Sequence, residues 1–215
     1  MDHTQAILQG SHELGLKLSL EECALLNKYL QLVQKWNRSY NLVSPNTLDE
    51  LVQRHLLDCL ALAPQLLGVN VVDFGSGAGF PGIPLAILFP DKNFTLIESN
   101  GKKARFLIQA KIELGLLNLT VINSRIETLT QRHEFDTVVS RAFASISRIV
   151  ELSEDLLQEN GVIACLKGKD STIQSELEAF GQQFEVSTIR LNIPGLDEER
   201  NLVLLRKDEQ KGLLT

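Results

Sequence analysis

Three features of this chain predict an α/β fold. Strand and helix patterns alternate from residue 71 onward, a glycine turn follows the first strand, and two extended runs close the sequence. The expected architecture is a Rossmann-like, seven-stranded, mostly parallel sheet covered by helices on both faces. It ends in an antiparallel hairpin and is preceded by a helical extension. Residues 1–68 are assigned to that extension and residues 69–215 to the sheet domain, the two forming one compact unit. A chain of 215 residues with 44% apolar content is long enough to bury one substantial core.

The elements follow from local pattern. Ser19-x-x-Glu22 is a capping box, and after it Leu25, Leu26, Tyr29, Leu30, Val33 and Trp36 share one helical face. Residues 37–45 break the periodicity as a loop. Thr47-x-x-Glu50 reads as a second capping box, opening a helix with Leu51, Val52, Leu56, Cys59 and Leu60 inward and His55 on the same stripe. Arg54 and Asp58 are four apart, the spacing of a surface ion pair. Strands are expected at 71–74, 94–98, 119–122, 135–139 and 162–166, and helices at 102–114, 149–157 and 171–180. Asn160-Gly161 marks a turn. Runs at 184–193 and 201–205, joined through Pro194-Gly195-Leu196-Asp197, form the terminal hairpin.

The stretch VVDFGSGAGFPGIPLAILFP organises the chain. Glycines at 75, 77 and 79 permit positive φ and let a ligand approach the backbone. Pro81 suits the first turn of the helix that follows, whose free N–H groups point over the loop. The spacing is G-x-G-x-G after Asp73, with Phe80 where a dinucleotide fingerprint has its third glycine. This is the form associated with S-adenosylmethionine rather than a nicotinamide cofactor. Glu98 ends the second strand at about the 20-residue spacing at which an acid meets ribose hydroxyls. Open α/β sheets keep ligands at the carboxyl ends of their strands. There this chain presents Asp73, Gly75, Ser76, Gly77 and Gly79, then Glu98-Ser99, Arg125-Ile126-Glu127, Ser140-Arg141 and Lys167. Cations buried at such an edge need anionic partners, either carboxylates of the chain or an anionic ligand.

Composition excludes several classes. Cys23, Cys59 and Cys165 are too few and too scattered for a disulfide framework or a metal site. No signal peptide or membrane span is visible, so a soluble, cytoplasmic protein is expected. A net charge of −6 argues against indiscriminate nucleic-acid binding, DNA included, but allows a local basic patch. Lys102, Lys103, Arg105, Arg148, Lys167, Lys169 and Arg200 are the candidates, the alternative being a solvated mixture of charges. After the fourth strand stands Ser140-Arg141-Ala142-Phe143, not the Asn/Asp-Pro-Pro-aromatic turn of amine methyltransferases. Cys165 lies within an apolar strand, unsuited to the nucleophile that carbon-5 pyrimidine methylation needs. Guanine N7 is an exposed lone pair whose methylation needs neither proton removal nor a covalent intermediate. Cations, a candidate aromatic stack and the lack of an obvious general base fit that reaction.

The chain resembles the RsmG/GidB family of bacterial 16S ribosomal RNA guanine-N7 methyltransferases. The motifs are KWNRSYNLVS, RHLLD, VDFGSGAGFPGIPLAI, LIESNGKKARFL, SRIE, SRAFAS, LKG and the late Glu199-Arg200, spread over nearly the whole length. Glu98 stands where the family commonly has Asp, and Cys59 where it commonly has Ser. The resemblance implies the class I methyltransferase fold, S-adenosylmethionine as cofactor, and a structured small-subunit particle or assembly intermediate as substrate. It implies cofactor contacts from Gly75, Phe80, Ile126, Glu127 and Arg141. Asn41, His55, Arg125, Lys167 and Arg200 would line the catalytic, RNA-facing side. A monomer is expected. Methylation of a small molecule or protein, or non-catalytic nucleotide binding, are the alternatives from other classes.

Overall fold

A computed structural model describes residues 2–130, 133–141, 144–178 and 184–207. Two helices open the chain, α1 (Thr4–Glu13) and α2 (Leu20–Tyr40). The Ser19 capping box forms as expected, with the Glu22 N–H donating to Ser19 Oγ at 3.1 Å and the Ser19 N–H to Glu22 Oε2 at 2.6 Å. The second expected box does not form. Thr47 closes a 3-10 turn, Pro45–Thr47, and Leu51–Leu57 winds as a π-helix before one α-helical turn, α3 (Asp58–Leu60). The buried residues explain the winding. Leu51 with Leu56, and Val52 with Leu57, are spaced five apart, the repeat that i→i+5 bonding brings onto one face.

The sheet has strand order β3-β2-β1-β4-β5-β7-β6. It consists of β1 (Asn70–Phe74), β2 (Asn93–Ile97), β3 (Leu119–Ile122), β4 (Phe135–Arg141), β5 (Leu157–Lys167), β6 (Phe184–Leu191) and β7 (Arg200–Lys207). The first five strands are mutually parallel, and β7 pairs antiparallel with both β5 and β6, giving the expected closing hairpin. The chain reverses its winding between β1 and β4, the crevice where such sheets bind ligands. One face is covered by the N-terminal helices with α4 (Gly82–Leu88) and α5 (Gly101–Leu114), in a single apolar cluster joining Leu26, Tyr29, Leu51 and Leu56 to Ile83, Phe106 and Val139. The other face packs α6 (Ile146–Ser153) and α7 (Asp170–Glu178) on Val72, Phe74, Val138 and Ile163.

Two expectations shift. The helix placed at 149–157 starts and ends earlier, and Asn160-Gly161 lies within β5 rather than in a turn before it. Phe135 pairs with Leu157 and Thr137 with Val162, so the extra residues of β5 bulge out opposite Asp136. Glycine suits that position, because a Cβ on Gly161 would stand 3.0 Å from the Gln158 carbonyl oxygen and 2.7 Å from Leu157 Cδ2, and both neighbours would have to shift. Ala142, Phe143 and Phe180 lie outside the described residues.

Candidate functional site

The carboxyl ends of the parallel strands carry two cavities of about 250 Å³ each. The first is lined by Phe74, Gly75, Ile97, Ser99, Ser124, Arg125, Ile126 and Glu127. Gly75, Gly77 and Gly79 all take positive φ (67°, 57° and 90°), as the turn required. A Cβ on Gly77 would meet only the Gly75 carbonyl at 3.8 Å, so the loop is open where a ligand would approach. At Gly79 a Cβ would come within 2.6 Å of Ile83 Cδ1, so that glycine serves the packing of α4. The acids are already engaged with backbone. Buried Asp73 Oδ2 accepts the Gly82 N–H at 3.0 Å, and Ser76 Oγ donates to the Asp73 carbonyl at 2.8 Å. Burial raises the Asp73 carboxyl to about 7 against the pull of the Gly82 N–H and Arg141. Glu98 accepts the Gly77 N–H on Oε2 at 2.8 Å and the Asn100 N–H on Oε1 at 2.7 Å. It thereby clamps the glycine turn to the start of α5. A carboxylate oxygen has a second lone pair, so these bonds leave acceptor capacity.

The second cavity lies on the face toward the N-terminal helices and is lined by Thr47, Arg54, His55, Asp58, Arg141, Leu166, Lys167, Gly168 and Arg200. Arg141 is its centre. One amino group donates to His55 Nδ1 at 2.9 Å, the other to the Arg54 carbonyl at 3.3 Å, and the guanidinium lies 5.2 Å from the Phe80 ring centroid. Phe80 also packs on His55 (5.3 Å between centroids) and Tyr29 (5.1 Å), which fixes it beneath the pocket. Because an arginine can only donate, His55 Nδ1 must hold a lone pair, and the ring proton sits on Nε2, 3.0 Å from Thr47 Oγ1. Thr47 Oγ1 in turn donates to the Ser44 carbonyl at 2.9 Å. Burial, then the charges of Arg141, Arg54 and Arg200, lower the His55 pKa to about 3. His55 is therefore a neutral acceptor, occupied by Arg141.

Of the expected cofactor residues Gly75, Ser99, Ile126 and Glu127 line the first cavity, and of the expected RNA-facing residues His55, Lys167 and Arg200 line the second, with one exchange. Arg125, assigned to the RNA-facing side by resemblance, stands with Ile126, Glu127 and Ser99 at the first cavity. Arg141, assigned to the cofactor, stands with His55, Lys167 and Arg200 at the second. Asn41 lines neither. It is the exposed C-cap of α2, at a left-handed φ of 49° that asparagine tolerates better than most residues. Lys167 is paired, its Nζ 3.0 Å from Glu176 Oε2 and 2.7 Å from the Ala144 carbonyl, and the same Glu176 oxygen accepts the Ile146 N–H at 2.7 Å. Of the proposed basic patch, Arg148 likewise binds Glu127 and Glu151 (2.9 and 2.7 Å). Arg200 reaches Glu198 at 3.0 Å.

Sequence reasoning missed Asp58. It is not the surface partner of Arg54, which pairs with Glu50 and Glu198. The Asp58 carboxylate is buried between Arg141 and Arg200, 3.6 Å from each. Burial raises its pKa while the two arginines oppose the rise. The available signal was the three-residue step from His55 to Asp58, which puts both on the inward side. No group of three or more His, Cys, Asp or Glu side chains that could hold a metal occurs among the described residues. No helix among them is long and apolar enough to cross a membrane.

Comparison with known proteins bears on the family and the fold. Residues 22–203 match the model of the GidB family, described as rRNA small subunit methyltransferase G. The ribosomal RNA small subunit methyltransferase G of a Marinomonas species is 39% identical over 208 residues, covering 96% of this chain and 99% of the relative. That of Ectopseudomonas mendocina is 43% identical over 208 residues, covering 95% and 96%. Among solved structures, an S-adenosylmethionine-dependent methyltransferase from Aquifex aeolicus superposes with a TM-score of 0.58 at 15% identity, over 81% of this chain and 98% of that one. A predicted O-methyltransferase from Agrobacterium tumefaciens gives 0.58 at 17% identity, over 72% and 80%. These structural likenesses show the Rossmann-like methyltransferase fold with its antiparallel C-terminal strands. The match along nearly the whole sequence shows more: the chain belongs to the GidB family of small-subunit ribosomal RNA methyltransferases.

Proposed function

We propose that this protein transfers the methyl group of S-adenosylmethionine to N7 of a guanine in 16S ribosomal RNA. The substrate would be the small ribosomal subunit or an assembly intermediate, met in the cytoplasm by a monomeric enzyme. Residues 1–68 would act as a helical extension that completes the pocket of the methyltransferase domain, 69–215. The cofactor would lie over Gly75, Gly77 and the edge formed by Ser99, Arg125, Ile126 and Glu127, where the glycine turn is open and polar groups converge. Glu98 would offer its remaining lone pairs to ribose hydroxyls. Asp73 and Ser76 would hold the turn itself.

The observation that carries the N7 reading is the state of His55. The one imidazole at the second cavity is neutral, and its only lone pair accepts a hydrogen bond from Arg141. No imidazole base is free there to remove a proton. Guanine N7 presents a lone pair with no proton to lose, whereas methylating an exocyclic amine or a hydroxyl requires one to leave. S-adenosylmethionine, when bound, supplies a methyl on a positively charged sulfur. The work left to the chain is alignment and exclusion of water, which buried Phe80, the Arg141 guanidinium stacked on it and apolar Leu166 can perform. Four cations and a single carboxylate line the cavity, with Glu50, Glu176 and Glu198 pairing to those cations from beside it, so an anionic substrate would compete with these carboxylates for the same donors. The net charge of −6 favours a structured particle over duplex DNA.

The test is transfer of labelled methyl from S-adenosylmethionine to small subunits from cells lacking this protein, with the RNA mapped for N7-methylguanosine. One labelled 16S guanine, lost in a Gly75→Trp or Arg141→Ala variant, is the expected result. Cofactor binding without transfer to the subunits returns the protein to a small-molecule, protein or non-catalytic reading.

A further inference from the structure

Asp58 is an ionisable group whose surroundings ordinary packing does not explain. Its side chain is 5% exposed, and its two oxygens face two different arginines, Oδ2 toward Arg141 Nη1 and Oδ1 toward Arg200 Nε, each at 3.6 Å. Oδ1 is enclosed and has no hydrogen-bond partner. A buried carboxylate is costly unless paired at close range, and structural arginine–carboxylate pairs close to about 2.7–2.9 Å. Here most guanidinium N–H groups are engaged elsewhere, while Arg141 Nη1 and Arg200 Nε still face the carboxylate. Arg141 donates to His55 Nδ1 and the Arg54 carbonyl, Arg200 to the Glu199 carbonyl and Glu198 Oε2. Asp58 is thus a counterion shared across a gap. Both arginines line the second cavity, with Arg141 seated on Phe80 at its floor and Arg200 opposite on β7. Without a negative charge between them, two like charges so close would repel and turn toward solvent.

Resting on the reading of this cavity as the RNA side of the site, we propose that Asp58 is a positioning residue. It holds the Arg141 and Arg200 guanidiniums in a fixed spacing, one per carboxylate oxygen, and so orients the two cations that meet the RNA substrate. Asp58 contacts the substrate only through them.

The test compares wild type, D58N, R141K and D58N/R141K in three measurements: thermal melting, S-adenosylmethionine affinity by calorimetry, and kcat and KM for methyl transfer to unmethylated small subunits. D58N is expected to keep its cofactor affinity, because the first cavity contains neither arginine. It is expected to lose on the order of 10²-fold in kcat/KM, the scale of an ångström of misplacement. In the R141K background D58N should cost much less than it does alone, since part of its effect passes through Arg141. Wild-type turnover by D58N, a cofactor affinity that falls as far as transfer does, or fully additive losses would overturn the proposal. If D58N does not fold, D58E keeps the charge but shifts the carboxylate by one methylene. A positioning role then predicts reduced kcat at unchanged cofactor affinity, and wild-type turnover by D58E overturns it. A wild-type protein that labels no 16S RNA would instead refute the proposed function, leaving the two failures distinguishable.

Discussion

Asp73→Asn should change how stability depends on pH. Asp73 is almost fully enclosed beneath the glycine turn, with the Gly82 N–H on Oδ2, and burial raises its carboxyl from 3.8 to about 7. In the window between those values the native state holds a proton that the unfolded chain has released. Stability therefore falls as pH rises. The cost is absent below the unfolded pKa, grows through the window and levels off above the folded value. At about 1.4 kcal/mol per tenfold difference in proton affinity, this one group removes about 2–3 kcal/mol between about pH 5 and about pH 8. Asparagine keeps an oxygen for the Gly82 N–H and has nothing to ionise, so its contribution is flat. Any cost of placing its amide N–H groups is independent of pH, so the slope is the diagnostic and the intercept is not. Urea denaturation of wild type and D73N across that range reads the difference directly, other titrating groups cancelling in the subtraction. The D73N curve should gain about 2–3 kcal/mol on wild type from the acid to the alkaline end. Parallel curves would refute the reasoning, as would a gain in the opposite direction, which would mean a carboxylate stabilised in its charged form by Arg141.

His55 carries the opposite sign. Its folded pKa of about 3 lies below the ordinary 6.5, so its contribution is complete above 6.5 and is lost as pH falls toward 3. Nitrogen-15 NMR should find it neutral, with its proton on Nε2, at about pH 5, where a free imidazole is charged; an imidazolium signal there would contradict the Arg141–His55 bond. Tyr29→Phe removes the hydroxyl that donates to the Ala78 carbonyl at 2.7 Å, leaving that buried oxygen unpaired, and should cost about 1–3 kcal/mol in chemical denaturation. An unchanged midpoint would mean that the anchor between α2 and the glycine turn contributes nothing.

Most of the sheet was legible because its signals are local. The Ser19 capping box, the glycine spacing and the short apolar strands each depend on neighbours in sequence, and each formed. That Ser99 and Arg125 meet at the first cavity was legible for the same reason, since chain position alone places them beyond strand ends. What failed was non-local. A strand end says nothing about which face a side chain takes. Arg141 follows the alternation of Val139 toward the N-terminal helices, which set it beside His55 instead of beside Arg125. Lys167 is answered by Glu176 from α7, too far along the chain for spacing to reveal. The least legible stretch was 51–60. An α-helical period fits Leu56 and Leu60, yet the buried pairs repeat every five residues, and that winding separates Arg54 from Asp58 and hides the carboxylate that holds the pocket.

The bulge of β5 bears on how this molecule could be handled. Glu159 and Asn160 are exposed at the amino end of that strand, while both cavities open at the carboxyl ends. At about 3.3 Å per residue the strand puts roughly 20 Å between them. A fluorophore or surface anchor attached at Glu159 would therefore point away from the pockets. It would report or immobilise the protein while leaving the opposite pole free for the RNA substrate.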